Sequence, residues 1–163
     1  MSTDSSNLYN TTGIQLPTDA CVIIVRTEWN AVTNDKLEAG CVKVLNAHKV
    51  HHKVITVPGA FEIPFAIKKY WEQHKYKEDK PHAFIALGCV LRGDTPHFEY
   101  VCQAVTGGVS QLNLIIPVPT VFGVLTVDNQ QQIDNRTGGK HGNKGEESAI
   151  TALKMIALVG SFK

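Results

Sequence analysis

The chain has 163 residues, 43% of them hydrophobic and 19% charged, with a net charge of +1. That length suits one domain with a single sizeable core, and the composition excludes a disordered or membrane-embedded protein. A net charge this small carries no nucleic-acid or anionic-membrane signature, so any bound anion must be held by local geometry.

The first 19 residues are polar and carry neither a signal-peptide core nor an arginine-rich amphipathic pattern. They read as a flexible tail (1–19) on a cytoplasmic protein, ahead of one domain over 20–163. An apolar, β-branched run at 20–25 (ACVIIV) predicts a strand. Leu37, Cys41, Val44 and Leu45 then share one helical face. A second strand is predicted at 54–57 (VITV), followed by a helix bearing Ile63, Ala66, Ile67, Tyr70 and Trp71, with Pro64 near its start. The polar run at 72–82 reads as a surface loop. Residues 83–91 (AFIALGCVL) form the third predicted strand, and Phe98, Val101, Cys102, Val105, Val109 and Leu112 mark the next helix. A fourth strand is predicted at 118–125, and a last helix over 145–159 carries Ile150, Leu153, Ile156 and Ala157.

Apart from the short second run, these strands lack polar alternation, as expected where both faces of a parallel sheet are covered. Strand and helix alternate four times, which predicts an α/β sandwich: a four-stranded parallel sheet with helices on both faces. All the post-strand loops then gather at one sheet edge, where ligands of open α/β folds bind. Those loops are 26–30 (RTEWN), 58–62 (PGAFE), 92–97 (RGDTPH) and 126–129 (TVDN). Their aromatic, carboxylate, amide and imidazole groups suit a flat polar molecule.

The segment LGCVLRGDTPHFEYV carries the strongest local signal. Gly93 permits a tight turn, Asp94 or Thr95 can cap, and Pro96 fits a first helical position. Amide donors at such a helix start suit phosphate. His97, in the first turn, is a candidate proton shuttle or simply a surface histidine. Residues 136–148 (RTGGKHGNKGEES) read as a flexible loop able to wrap an anion, or as a solvated basic turn. This is not a phosphate-binding G-x-x-x-x-G-K-[ST] frame. Trp29 is either rim packing or a stacking platform. His48, His51 and His52 lack a nearby carboxylate or thiol, so a metal is not expected. Cys21, Cys41, Cys89 and Cys102 form no C-x-x-C pair and read as free thiols, not a disulfide framework.

VPGAFEIP (57–64), RGDTPHFEYV, VFGVLT (121–126) and GNKG (142–145) occur together and in order, and the chain from about residue 20 onward resembles the lumazine synthases. The resemblance implies a flavodoxin-like three-layer sandwich assembled into homopentamers or 60-mers, with each active site shared by neighbouring subunits. It implies condensation of 5-amino-6-(D-ribitylamino)uracil with 3,4-dihydroxy-2-butanone 4-phosphate, without cofactor or metal, and riboflavin synthase as a candidate further partner. Carried across, Trp29 would stack on the pyrimidine with Asn30 beside it. Ala60, Phe61 and Glu62 would hold the pyrimidine and ribityl chain, and Cys89, Val90 and Leu91 would contact the ring. Gly93, Asp94 and Thr95 would bind phosphate, and His97 would move protons. From the adjacent subunit Phe122 would close over the ring, Arg136 would clamp phosphate and Lys144 would line the pocket, with Glu147 near that lysine. An FMN electron carrier is disfavoured because the loop after the first strand has no glycine. A non-catalytic riboflavin- or FMN-storing shell on the same fold is the remaining rival.

Overall fold

The computed structural model describes residues 6–162. Four strands, β1 (Cys21–Thr27), β2 (His51–Val57), β3 (Ala83–Leu91) and β4 (Thr120–Val127), form a parallel sheet of order β2-β1-β3-β4. Helices α2 (Ala31–Ala47) and α6 (Lys144–Ser161) cover one face, and α3 (Ile63–His74) and α4 (His97–Ile115) cover the other. The result is the flavodoxin-like three-layer sandwich.

Strand geometry explains the continuous apolar runs. Successive side chains point to opposite faces, and both faces are buried here. Val22 and Ile24 pack with Leu37, Cys41 and Leu45 of α2 and Leu153 and Ile156 of α6. Cys21, Ile23 and Val25 pack with Ile63 and Ile67 of α3 and Val105 and Val109 of α4. Each fully buried Leu or Ile contributes roughly 1.5–3 kcal/mol relative to exposure.

β4 runs two residues later than expected, so Thr126 and Val127 belong to the strand, and two segments differ more. β2 starts at His51, ahead of the apolar residues, because it is an edge strand and its pairing with β1 is carried by backbone. Residues 136–148 are not a loop. Arg136 ends a short helix, α5 (Gln130–Arg136), and an antiparallel ribbon follows, β5 (Thr137–Gly139) and β6 (Gly142–Asn143). Gly142, at φ +71°, takes a left-handed conformation that L side chains rarely adopt. The Asn143 carboxamide oxygen then caps α6, accepting from the N–H groups of Gly145 and Glu146. Gly145 lets α6 approach α2 closely: a Cβ there would lie 1.8 Å from the Leu37 carbonyl oxygen.

Of the predicted tail, residues 1–5 lie outside the described residues. Helix α1 (Ser6–Tyr9) rests on α6, where Lys154 Nζ donates to the Asn7 carbonyl at 2.8 Å. Among the described residues no helix is long and apolar enough to cross a membrane. No group of three or more His, Cys, Asp or Glu side chains among them could hold a metal ion. The four cysteines are free, with Cys21, Cys41 and Cys89 buried.

Candidate active site

The C-terminal ends of β1 and β3, with the turn after β2, frame a pocket of about 480 Å³. It is lined by Trp29, Asn30, Ala60, Phe61, Glu62, Cys89, Val90, Leu91 and His97. Nine sequence-predicted residues therefore meet in one cavity. Thr27, Gly59 and Val101 also line it and were not singled out from the sequence. They are small or apolar, with no chemistry for a motif to report.

Backbone architecture presents Trp29. The Trp29 N–H donates to the Pro58 carbonyl, while the Trp29 carbonyl accepts from Thr27 Oγ1 and from Asn34 Nδ2 at 2.8 Å. Asn34, in the first turn of α2 and fully buried, also donates to the Thr27 carbonyl and hydroxyl. The loop is thus fixed from beneath, and the indole stays 75% exposed. Asn30 takes a left-handed conformation (φ 59°), which suits asparagine, and its Nδ2 donates to the Cys89 carbonyl at 2.8 Å. That bond joins the β1 loop to the end of β3. Burial pushes the Cys89 thiol up to about 11, so it lines the pocket as a neutral group.

Next to this pocket, residues 93–95 turn from β3 into α4. The helix begins at His97 with Pro96 in the capping position, one residue later than the sequence suggested, because Pro96 (φ −62°, ψ −2°) only begins the helical turn. Neither Asp94 nor Thr95 caps it. His97, Asp94 and Thr95 are all exposed. Arg92 flanks the turn. Its Nε donates to Asp128 Oδ1 at 2.6 Å, its Nη1 donates to Glu99 Oε1, and its guanidinium lies 4.1 Å from the Phe98 ring centroid. Hydrogen bonds from Arg92 hold both the Asp128 and Glu99 carboxyls below the usual carboxylate range.

Phe122, Arg136 and Lys144 lie elsewhere. They line a separate pocket of about 690 Å³ along β4 and α6, together with Leu8, Glu147, Ser148, Thr151 and Met155. Arg136 ends α5 and Lys144 begins α6, so the intervening ribbon brings the two cations to one cavity. Lys144 Nζ pairs with Glu147 Oε2 at 2.7 Å, and Glu147 Oε1 accepts from the Tyr9 hydroxyl. Burial, then the Glu147 and Glu146 charges, push the Tyr9 phenol up. Arg136 donates to the Gln132 carbonyl and has no carboxylate partner among the described residues. The one carboxylate lining that pocket, Glu147, is paired with Lys144 instead.

The family model of 6,7-dimethyl-8-ribityllumazine synthase matches residues 19–160. The chain is similar to proteins of that name from three bacteria. It is 46% identical to the one from Parabacteroides distasonis (82% of each chain) and 44% identical to the one from Porphyromonas gingivalis (97% of this chain, 98% of the relative). It is 45% identical to the one from Bacteroides fragilis (85% of this chain, 96% of the relative). A parallel α/β sandwich, a pocket at its C-terminal edge and this match across nearly the whole length agree: the chain belongs to the 6,7-dimethyl-8-ribityllumazine synthase family.

Proposed function

We propose that this protein condenses 5-amino-6-(D-ribitylamino)uracil with 3,4-dihydroxy-2-butanone 4-phosphate at a site shared by two protomers. The products are 6,7-dimethyl-8-ribityllumazine, phosphate and two molecules of water, at the penultimate step of riboflavin biosynthesis. Every bond change is polar. The amine adds to the ketone, water leaves to give an imine, phosphate is eliminated, and ring closure expels the second water.

One observation carries the shared site: the groups for a single binding event are divided between two cavities with no lining residue in common. The first holds the exposed indole, a carboxylate and the imidazole; the second holds an aromatic and two cations. Large apolar side chains beside each are left in solvent, including Val32, Phe61 and Phe65 near the first and Phe122 and Met155 at the second. Such surfaces suit burial against another protomer. A cyclic arrangement, read as a pentamer, sets one protomer's first pocket against its neighbour's second, and the same ring could build a 60-subunit shell.

In that arrangement Trp29 stacks on the pyrimidine and Glu62 accepts hydrogen bonds from the pyrimidine or the ribityl chain. The 93–95 turn and the start of α4 cradle the phosphate, and the neighbour's Arg136 clamps it. His97 carries protons to and from the nitrogen and oxygen atoms that change bonding. Holding two reactive molecules in register supplies most of the acceleration, up to several kcal/mol.

The direct experiment mixes the purified protein with both substrates and follows the fluorescence of the lumazine. Product formation with release of one phosphate per ring is expected. A yellow, flavin-loaded protein that forms no product would overturn this reading in favour of storage.

A further inference from the structure

We propose that Arg92 is a positioning residue for the substrate phosphate. It holds the 93–95 turn in register with both α4 and the loop after β4. The proposal rests on the reading above that this turn binds phosphate.

The turn has little else to fix it. No side chain caps α4, and the space into which a Cβ on Gly93 would project is open to 4 Å. Arg92 supplies what is missing. Its backbone N–H donates to the Val127 carbonyl at 2.9 Å, and its guanidinium reaches Asp128, Glu99 and the Phe98 ring. A planar guanidinium engaged in three directions fixes three segments relative to one another, which a flexible ammonium cannot do.

Charge argues against a direct role on the anion. The two carboxylates carry one more negative charge than Arg92 carries positive, so the cluster repels a nearby phosphate. Its value there must be geometric. Asp128 is in turn tied to α5, since its N–H donates to Gln132 Oε1 at 2.9 Å and the Asn129 carboxamide oxygen accepts from the Gln132 N–H. α5 ends at Arg136. One guanidinium therefore couples the turn beside a protomer's first pocket to the helix that delivers Arg136 to its second.

The test uses full-length Arg92→Met, Arg92→Lys, Asp128→Asn and Glu99→Gln. It measures KM for each substrate and inhibition by inorganic phosphate. In Arg92→Met, KM for the phosphate substrate and the inhibition constant of phosphate should both rise about tenfold, with KM for the pyrimidine within about twofold. Arg92→Lys should recover part of that loss. Asp128→Asn should weaken phosphate about threefold, although it removes a negative charge that opposes phosphate. Glu99→Gln should act in the same direction. Unchanged or tighter phosphate binding in Asp128→Asn overturns the proposal and makes Arg92 a direct ligand or a bystander. An equal rise in both KM values in Arg92→Met also overturns it, as a general structural effect. Should Arg92→Met fail to fold, the two carboxylate variants decide alone. An inactive wild-type protein would refute the proposed function, whereas an active one with unaltered variants would refute only this inference.

Discussion

Trp29, in the turn after β1, and Phe122, in β4, line pockets that share no residue although β1 and β4 belong to the same parallel sheet. Arg26 of β1 lies level with Leu87 of β3, and Leu87 with Gly123 of β4, so β3 separates the two strands. Trp29 lies beyond this level along the chain direction and Phe122 before it. Strand spacing and rise then put the two aromatics roughly 15 Å apart. Within one protomer the two aromatics thus line different cavities, and the proposed sharing of the site between protomers rests on that separation.

Buried amide chemistry, rather than any residue in contact with substrate, sets the indole. Asn34→Ala leaves the Thr27 carbonyl without its side-chain donor and the Trp29 carbonyl with the Thr27 hydroxyl alone. We expect a stability loss of about 2 kcal/mol by urea denaturation. KM for the pyrimidine should rise by several fold, while KM for the phosphate substrate moves little.

The phosphate clamp should matter more than the proton shuttle. Arg136→Ala should lower kcat/KM by about 10³ and His97→Ala by about 10², because losing the anchor loosens the geometry of both reactants. Steady-state kinetics on the two variants check the ranking, which fails if His97→Ala is the more damaged.

Alkaline pH should destabilise the fold through Cys41. Burial pushes its thiol up to about 12 from an ordinary 9.0, so between those values the unfolded chain has lost a proton that the folded chain keeps. Stability is fully present below pH 9 and falls as pH rises, by at most about 1.4 kcal/mol per pH unit for one group. Melting temperatures across pH 8 to 11 should show that decline. Cys41→Ala should be less stable at pH 7, from the cavity, yet decline less steeply above pH 9.

The sheet was legible in the sequence because uninterrupted apolar runs such as 83–91 leave few alternatives to a doubly covered strand, and β3 has those bounds. β2 was only half legible. His51, His52 and Lys53 join it through backbone pairing at an exposed edge, which no hydrophobic pattern reports. α5 escaped for a similar reason, since its one buried residue is Ile133 and its signal reduces to the Asn129 cap. The chemistry-bearing residues were legible as a set, and their division into two groups was implied by the family resemblance alone, not by composition or periodicity. Periodicity places residues on elements, whereas the separation of Trp29 from Phe122 depends on strand order. No local pattern marks Arg92, because its partner Asp128 comes from the loop after β4.

Subunit complementation tests the shared site most directly. One preparation carries Arg136→Ala and the other carries Trp29→Ala with His97→Ala; each assembled alone contains only damaged sites. Co-refolded in equal amounts with random assembly, they should recover about a quarter of wild-type turnover, the fraction of sites that combine two intact halves. Mixed oligomers that stay as inactive as their parents would mean that Trp29, His97 and Arg136 act within one protomer, contradicting the account.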